Sequence, residues 1–139
     1  MLRILPFCLI FLCFSCSSKI SQEKLTNLNG YWEIKTVTFK DGFRKEYKVN
    51  TTVDFIKIDS LKGYRKKMYP KFNGTYDTSN DVKNFYITTE ENTFIFNYKT
   101  KITAWKEELL SLSKNEFSVK NEQDKIYTYQ RYTPINSNQ

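Results

Sequence analysis

The chain has 139 residues, a formal net charge of +7 and no histidine, which excludes imidazole as general base, metal ligand or pH switch and with it any Ser-His or Cys-His nucleophile. Aromatic residues make up 17% of it, enough to fill a compact interior. The basic surplus favours anionic partners such as lipid headgroups, phosphorylated glycolipids or acidic protein faces.

Met1-Leu2-Arg3 precedes an apolar run from Ile4 to Phe14. As a helix that run reaches about 16 Å, against about 30 Å for the hydrocarbon core of a bilayer, so it cannot span as a mature segment. A positive start, a short apolar stretch and small residues at its end predict a secretory signal over residues 1–15. Cys13-Phe14-Ser15-Cys16 resembles a lipobox, the signal for thioether lipidation of a bacterial lipoprotein. Ser15 supplies the small residue of that pattern, while Cys13 and Phe14 depart from it. The resemblance implies a lipid anchor on Cys16, where several acyl chains would hold stably and one would not. The alternative is ordinary signal-peptidase cleavage nearby. Cys8 and Cys13 leave with the signal, so Cys16 is the only cysteine of the mature chain and the domain stands without disulfides. Removing Arg3 lowers the charge from +7 to +6. Ser17 follows the cysteine and no acidic residue comes before Glu23, which by comparison with lipoprotein sorting implies an outer-membrane protein facing the periplasm. Nucleic acid is not an expected partner for an exported chain.

Residues 16–28 read as a lipidated tether, with Leu25 and Leu28 spaced like one face of a short helix after a Ser21 cap. From Gly30 onward, short runs rich in Val, Ile, Thr, Phe and Tyr alternate with turn residues, the pattern of an all-β domain. Tyr31 to Lys40 is the first strand, and Asp41-Gly42 reads as a two-residue type I′ hairpin turn. Strands follow over Phe43 to Val49, Val53 to Ile58 and Gly63 to Lys71, the last marked by Pro70 as an edge or a bulge. Asn73-Gly74 is a second turn signal. Thr75 to Thr78 reads as a short strand ended by the polar Ser79-Asn80-Asp81, and Asn84 to Thr89 pairs with Thr93 to Lys99. Ile102 to Ser113 fits both periods. A strand from about Lys106 is the reading adopted, with a helical turn near Thr103 as the alternative. Glu116 to Lys120 and Lys125 to Tyr132 form the last pair, and Pro134 ends a domain over residues 29–134, leaving 135–139 as a disordered tail.

Eight or nine short strands joined by tight turns predict one antiparallel up-and-down meander, closed or nearly closed into a barrel. Gly30-x-Trp32 at the first strand and Arg131 near the end of the last resemble the lipocalin signature, in which a tryptophan plugs the closed end and an arginine packs across its face. The layout from Leu28 to about Pro134 is similar to the small lipocalin-like domains of lipoproteins in Gram-negative bacteria. The chain is shorter than a typical lipocalin, lacks the long helix packed outside the barrel and has no clear match to the family's middle motif. The resemblance implies a binding protein without catalysis.

Alternation places Phe94, Phe96 and Tyr98 on one strand face, Phe85 on another, and Tyr127, Tyr129 and Arg131 on a third, giving Phe85, Phe94, Phe96, Tyr98, Tyr127 and Tyr129 as candidate ligand-lining residues. The stretch Lys62 to Phe72 interleaves cations with rings. Its preferred reading is a solvated strand whose lysines deter edge pairing, and the alternative is an anion-binding rim of Lys62, Arg65, Lys66, Lys67 and Lys71. The adjacent pairs Glu90-Glu91 and Glu107-Glu108 read as solvated or turn residues, because neighbours in a strand point to opposite faces. No metal site, cofactor or catalytic residue is expected. The functional reading is a lipid-anchored carrier of a small apolar molecule or an anionic lipid; a filled barrel serving as accessory protein of an envelope complex is the alternative.

Overall fold

A computed structural model of the chain describes residues 19–134; the expected signal segment, the expected lipidation site at Cys16 and the tail expected over 135–139 lie outside the described residues. A 3-10 helix, Gln22–Leu28, leads into nine strands: β1 (Gly30–Thr38), β2 (Arg44–Glu46), β3 (Val53–Asp59), β4 (Lys62–Pro70), β5 (Tyr76–Glu90), β6 (Thr93–Lys99), β7 (Ala104–Leu112), β8 (Glu116–Asn121) and β9 (Ile126–Arg131). They pair antiparallel in the order β2-β1-β3-β4-β5-β6-β7-β8-β9, and β9 returns to pair with β1. That return closes eight strands into a barrel. The start of β1, Gly30 to Trp32, pairs with β3, and its end, Thr36 to Thr38, pairs with the extra strand β2. The opposite edge of β1, Trp32 to Thr38, is covered by β9. Closure satisfies the strand edges that an open meander would expose.

Period-2 alternation sends one residue in two to the interior. Trp32 (β1), Ile56 and Ile58 (β3), Phe85 and Ile87 (β5), Phe94, Phe96 and Tyr98 (β6), Leu109 (β7), Phe117 and Val119 (β8) and Tyr129 (β9) form a single core, with Leu25 and Leu28 of the helix docked into it. Leu25 and Leu28 are essentially inaccessible, and burying each contributes about 1.5–3 kcal/mol, which is what holds so short a helix over the barrel end. Ser21 precedes the helix but makes no side-chain capping bond; its carbonyl accepts from Lys24 N at 3.1 Å instead.

Three expectations are corrected. First, Ser79-Asn80-Asp81 does not end a strand. β5 runs through it, and the register against β4 slips there, with Met68 opposite Thr78 but Lys66 opposite Val82. The extra polar residues are taken up as a bulge rather than a turn. Second, the strand read over Phe43 to Val49 is cut to β2, Arg44–Glu46, whereas Pro70 does sit at an edge: Lys62 to Lys66 pair with both β3 and β5, the β4–β5 register shifts between Lys66 and Met68, and Tyr69 and Pro70 extend past β3 into a two-stranded arm with β5. Third, the Asp41-Gly42 turn is not type I′. Gly42 alone has positive φ, and Phe39 and Phe43 bracket a three-residue loop, Phe39 N donating to Phe43 O at 2.8 Å and Gly42 N to Phe39 O at 2.9 Å. The type I′ signature of two consecutive positive φ values falls at Glu91 and Asn92. Near Thr103 there is no helical turn; β7 starts at Ala104.

Candidate functional site

The two ends of the barrel are chemically different. At the end covered by the helix, Trp32 is fully buried, stands edge-on to Phe117 (ring centroids 4.7 Å, planes at 90°) and donates from Nε1 to the Leu28 carbonyl at 2.8 Å. Arg131, directly opposite Trp32 in the β1–β9 register, lays its guanidinium 3.8 Å from the centre of the indole. Its donors reach the carbonyls of Asn29 (Nη1, 2.7 Å), Asn27 (Nη2, 2.8 Å) and Lys114 (Nη2, 2.8 Å). One side chain therefore seals the ring and ties the helix end to the β7–β8 turn. Gly30 has φ +121°, and a Cβ there would lie 2.7 Å from Arg131 Nη1, so this position needs glycine on both counts. The structure brings Gly30, Trp32 and Arg131 together, and this trio closes the barrel end; beside the helix a separate cleft of about 300 Å³ is lined by Ile20, Phe94 and Leu109.

The opposite end holds a cavity of about 330 Å³. Its floor is a charged network. Arg65 points inward from β4 and donates from Nη2 to Asp54 Oδ2 of β3 at 2.7 Å and to the Tyr129 hydroxyl of β9. Lys67 reaches the other oxygen of Asp54 at 2.9 Å. Across the barrel, Glu107 of β7 lies 3.8 Å from Arg65 Nη1, beyond hydrogen-bonding distance. The side chains of Arg65, Asp54 and Glu107 are 14%, 5% and 14% exposed.

Electrostatics separates the two carboxylates. Burial pushes Asp54 up, but Arg65 and Lys67 outweigh it and hold the group below its ordinary value. For Glu107 burial wins: its pKa is raised, with Arg65 and the side chains of Tyr98 and Trp105 offsetting only part of the desolvation. Burial also pushes Tyr129 up to about 12 and Tyr98 higher, so both phenols stay neutral donors. Arg65 is held well above its ordinary value: burial opposes its charge, and the surrounding phenols and carboxylates more than compensate. Glu107 Oε2 is buried and has no hydrogen-bond partner among the described residues.

The candidate lining set divides. Tyr98, Tyr127 and Tyr129 face the cavity, whereas Phe85, Phe94 and Phe96 are packed into the core beneath it and do not line it. Phe85 contacts the Phe96 and Tyr98 rings at 5.2 and 5.4 Å, and the interior below the charged floor is filled. The candidate basic rim divides as well. Arg65 is part of the interior network, Lys67 pairs with Asp54, and Lys66 stands at the cavity edge. Lys62 is exposed beside the β3–β4 turn, and Lys71 pairs with Asp77 on the arm at 2.7 Å. Neither Lys62 nor Lys71 lines the cavity. Asp54, Trp105 and Glu107 are site residues that sequence reasoning missed, and Glu107 is not the solvated residue it was read as. The signal was present: once Lys106 onward is a strand, Trp105, Glu107 and Leu109 share a face, and Leu109 marks that face as inward.

A second, more open cleft of about 520 Å³ lies on the outer face, where Tyr31, Phe55 and Tyr64 form a carpet beneath the β4–β5 arm and Tyr76 stacks on Tyr31 at 4.4 Å. Among the described residues no group of side chains is arranged to hold a metal, and no helix is long and apolar enough to cross a membrane.

No family model matches the chain, and no curated protein matches it. Among solved structures it is similar to a lipocalin-like protein from Bacteroides uniformis (9% identity, 76% of this chain and 99% of that one, TM-score 0.47). It is similar also to an uncharacterized protein from Bacteroides eggerthii (9% identity, 76% and 99%, TM-score 0.48) and to lobster apocrustacyanin A1 (12% identity, 80% and 64%, TM-score 0.47). These are distant likenesses of barrel shape, and they carry nothing about what this chain binds.

Proposed function

We propose that this chain is a lipid-anchored, lipocalin-like binding protein of the cell envelope, tethered through Cys16 to the outer membrane on its periplasmic side, and that it holds one small molecule in the barrel mouth. The observation that carries the reading is the cavity of about 330 Å³ over a charged floor, within the usual size range of small-molecule sites and walled by Tyr98, Trp105, Tyr127 and Tyr129. Because the interior beneath is packed, a long acyl chain has no channel to enter. Of the two cargo classes that the sequence suggests, a compact molecule therefore fits better than a lipid, which could offer the mouth only its headgroup. The reading needs no catalytic step.

The outer cleft favours a second reading, an accessory protein that meets a partner through Tyr31, Phe55 and Tyr64. Native mass spectrometry separates the two. The chain exported by its own host should carry a small-molecule adduct that denaturation removes; a bare mass would favour the partner.

A further inference from the structure

The mouth is built with one polar atom left over. Asp54 accepts from Arg65 and Lys67, and Tyr129 accepts from Arg65, yet Glu107 Oε2 has no donor among the described residues although it is buried. A buried acceptor without a donor is costly, so a folded protein retains one where something else is to complete it. A carboxylate oxygen takes only donors: an ether, ketone or carboxylate placed there would set lone pairs against lone pairs. Trp105 lies two residues before Glu107 on the same strand face, with its ring parallel to Tyr98 at 4.8 Å, so a flat body entering the mouth has an aromatic wall beside that oxygen. At the edge the sign changes. Four cations (Arg65, Lys66, Lys67, Lys83) face three carboxylates (Asp54, Asp81, Glu107) around the cavity. Lys83 pairs with Asp81 and Lys67 with Asp54, which leaves Lys66, on the rim that divides the mouth from the outer cleft and lining both, without a carboxylate partner among the described residues.

The geometry points to a ligand class: a compact aromatic acid that presents an O–H or N–H donor to Glu107 Oε2, lays its ring along Trp105 and turns its anionic group to Lys66. This rests on the mouth being a ligand site, as proposed above, and goes further by naming which ends of the molecule meet which residues. The charged floor reads the donor, and the open edge reads the acid.

Three probes test it: para-hydroxyphenylpropanoate, which carries donor, ring and acid; phenylpropanoate, which lacks the donor; and para-ethylphenol, which lacks the acid. They are titrated into the full-length chain carrying Cys16→Ser and followed in a nitrogen–proton correlation spectrum. The only two tryptophans give two indole signals, Trp105 at the mouth and Trp32 sealed at the far end. The inference expects the Trp105 signal to move and the Trp32 signal to stay, with the complete probe binding about tenfold or more tighter than either partial one. Glu107→Gln should narrow the preference over phenylpropanoate, and Lys66→Ala the preference over para-ethylphenol. Equal affinity of para-hydroxyphenylpropanoate and phenylpropanoate at Trp105 would mean that water alone completes Glu107; the inference would fall while the mouth remained a ligand site. If no probe moved Trp105 and the natural export also carried no adduct, both would fall.

Discussion

Arg131 and Trp32 face each other across the β1–β9 seam, the guanidinium 3.8 Å from the indole centre, and the same arginine holds the carbonyls of Asn27, Asn29 and Lys114. One pair thus joins the β1–β9 seam to the docked helix. Truncating Trp32 to alanine opens a cavity in the most buried part of the core and should cost about 3–5 kcal/mol in denaturant unfolding. A near-neutral result would mean that the pair does not close the fold.

Gly63 makes a different demand. It faces Phe85 from β4, and a Cβ there would fall on the Lys57 carbonyl and within 2.6 Å of the Phe85 ring, whereas nothing lies within 4 Å of a Cβ at Gly42. Gly63→Ala should therefore destabilise by overpacking, about 1–3 kcal/mol. Gly42→Ala carries only the cost of its positive φ, about 1 kcal/mol. Thermal melts of the two variants check the order.

The two mouth carboxylates should titrate in opposite senses. Glu107 has a folded pKa above its ordinary 4.5, so its favourable contribution is full below that value and fades as pH rises through the folded one. Asp54 has a folded pKa below 3.8; its contribution is present above that value and lost as pH falls through the folded one. Relative to the unaltered chain, Glu107→Gln should gain stability between about pH 4 and about pH 7. Asp54→Asn should lose about 3–5 kcal/mol near neutrality by stranding Arg65. Urea unfolding at the two pH values decides; a Glu107→Gln difference that did not change with pH would count against the burial assigned to that group.

Anchoring is tested apart from the fold. Cys16→Ser should move the exported chain from the membrane to the soluble fraction. Continued sedimentation with membranes would remove the lipid anchor from the account.

The barrel was legible because alternation and hairpin turns are local: apart from the short β2 and the merged β5, each strand lies within a residue or two of where its run of Val, Ile, Thr and aromatic residues placed it. The mouth was not. Arg65 and Asp54 sit on the two arms of the β3–β4 hairpin, but Glu107 comes from β7, which meets β4 only across the interior, so no local spacing brings it to them. In β4 the usual assignment is also inverted, with Gly63 and Arg65 turned inward while Tyr64 and Met68 line the outer cleft. Rings facing out and cations facing in defeat a reading that takes lysine and arginine for solvent. Ser79-Asn80-Asp81 misled for a related reason, since a bulge and a turn draw on the same polar residues.

The most direct test of the account is native mass spectrometry of the host-exported chain beside its Trp105→Ala variant, each compared with its denatured mass. A ligand held in the mouth predicts one small adduct on the unaltered chain that is lost or much reduced in the variant. A bare mass for both, or an adduct that Trp105→Ala leaves in place, would contradict it.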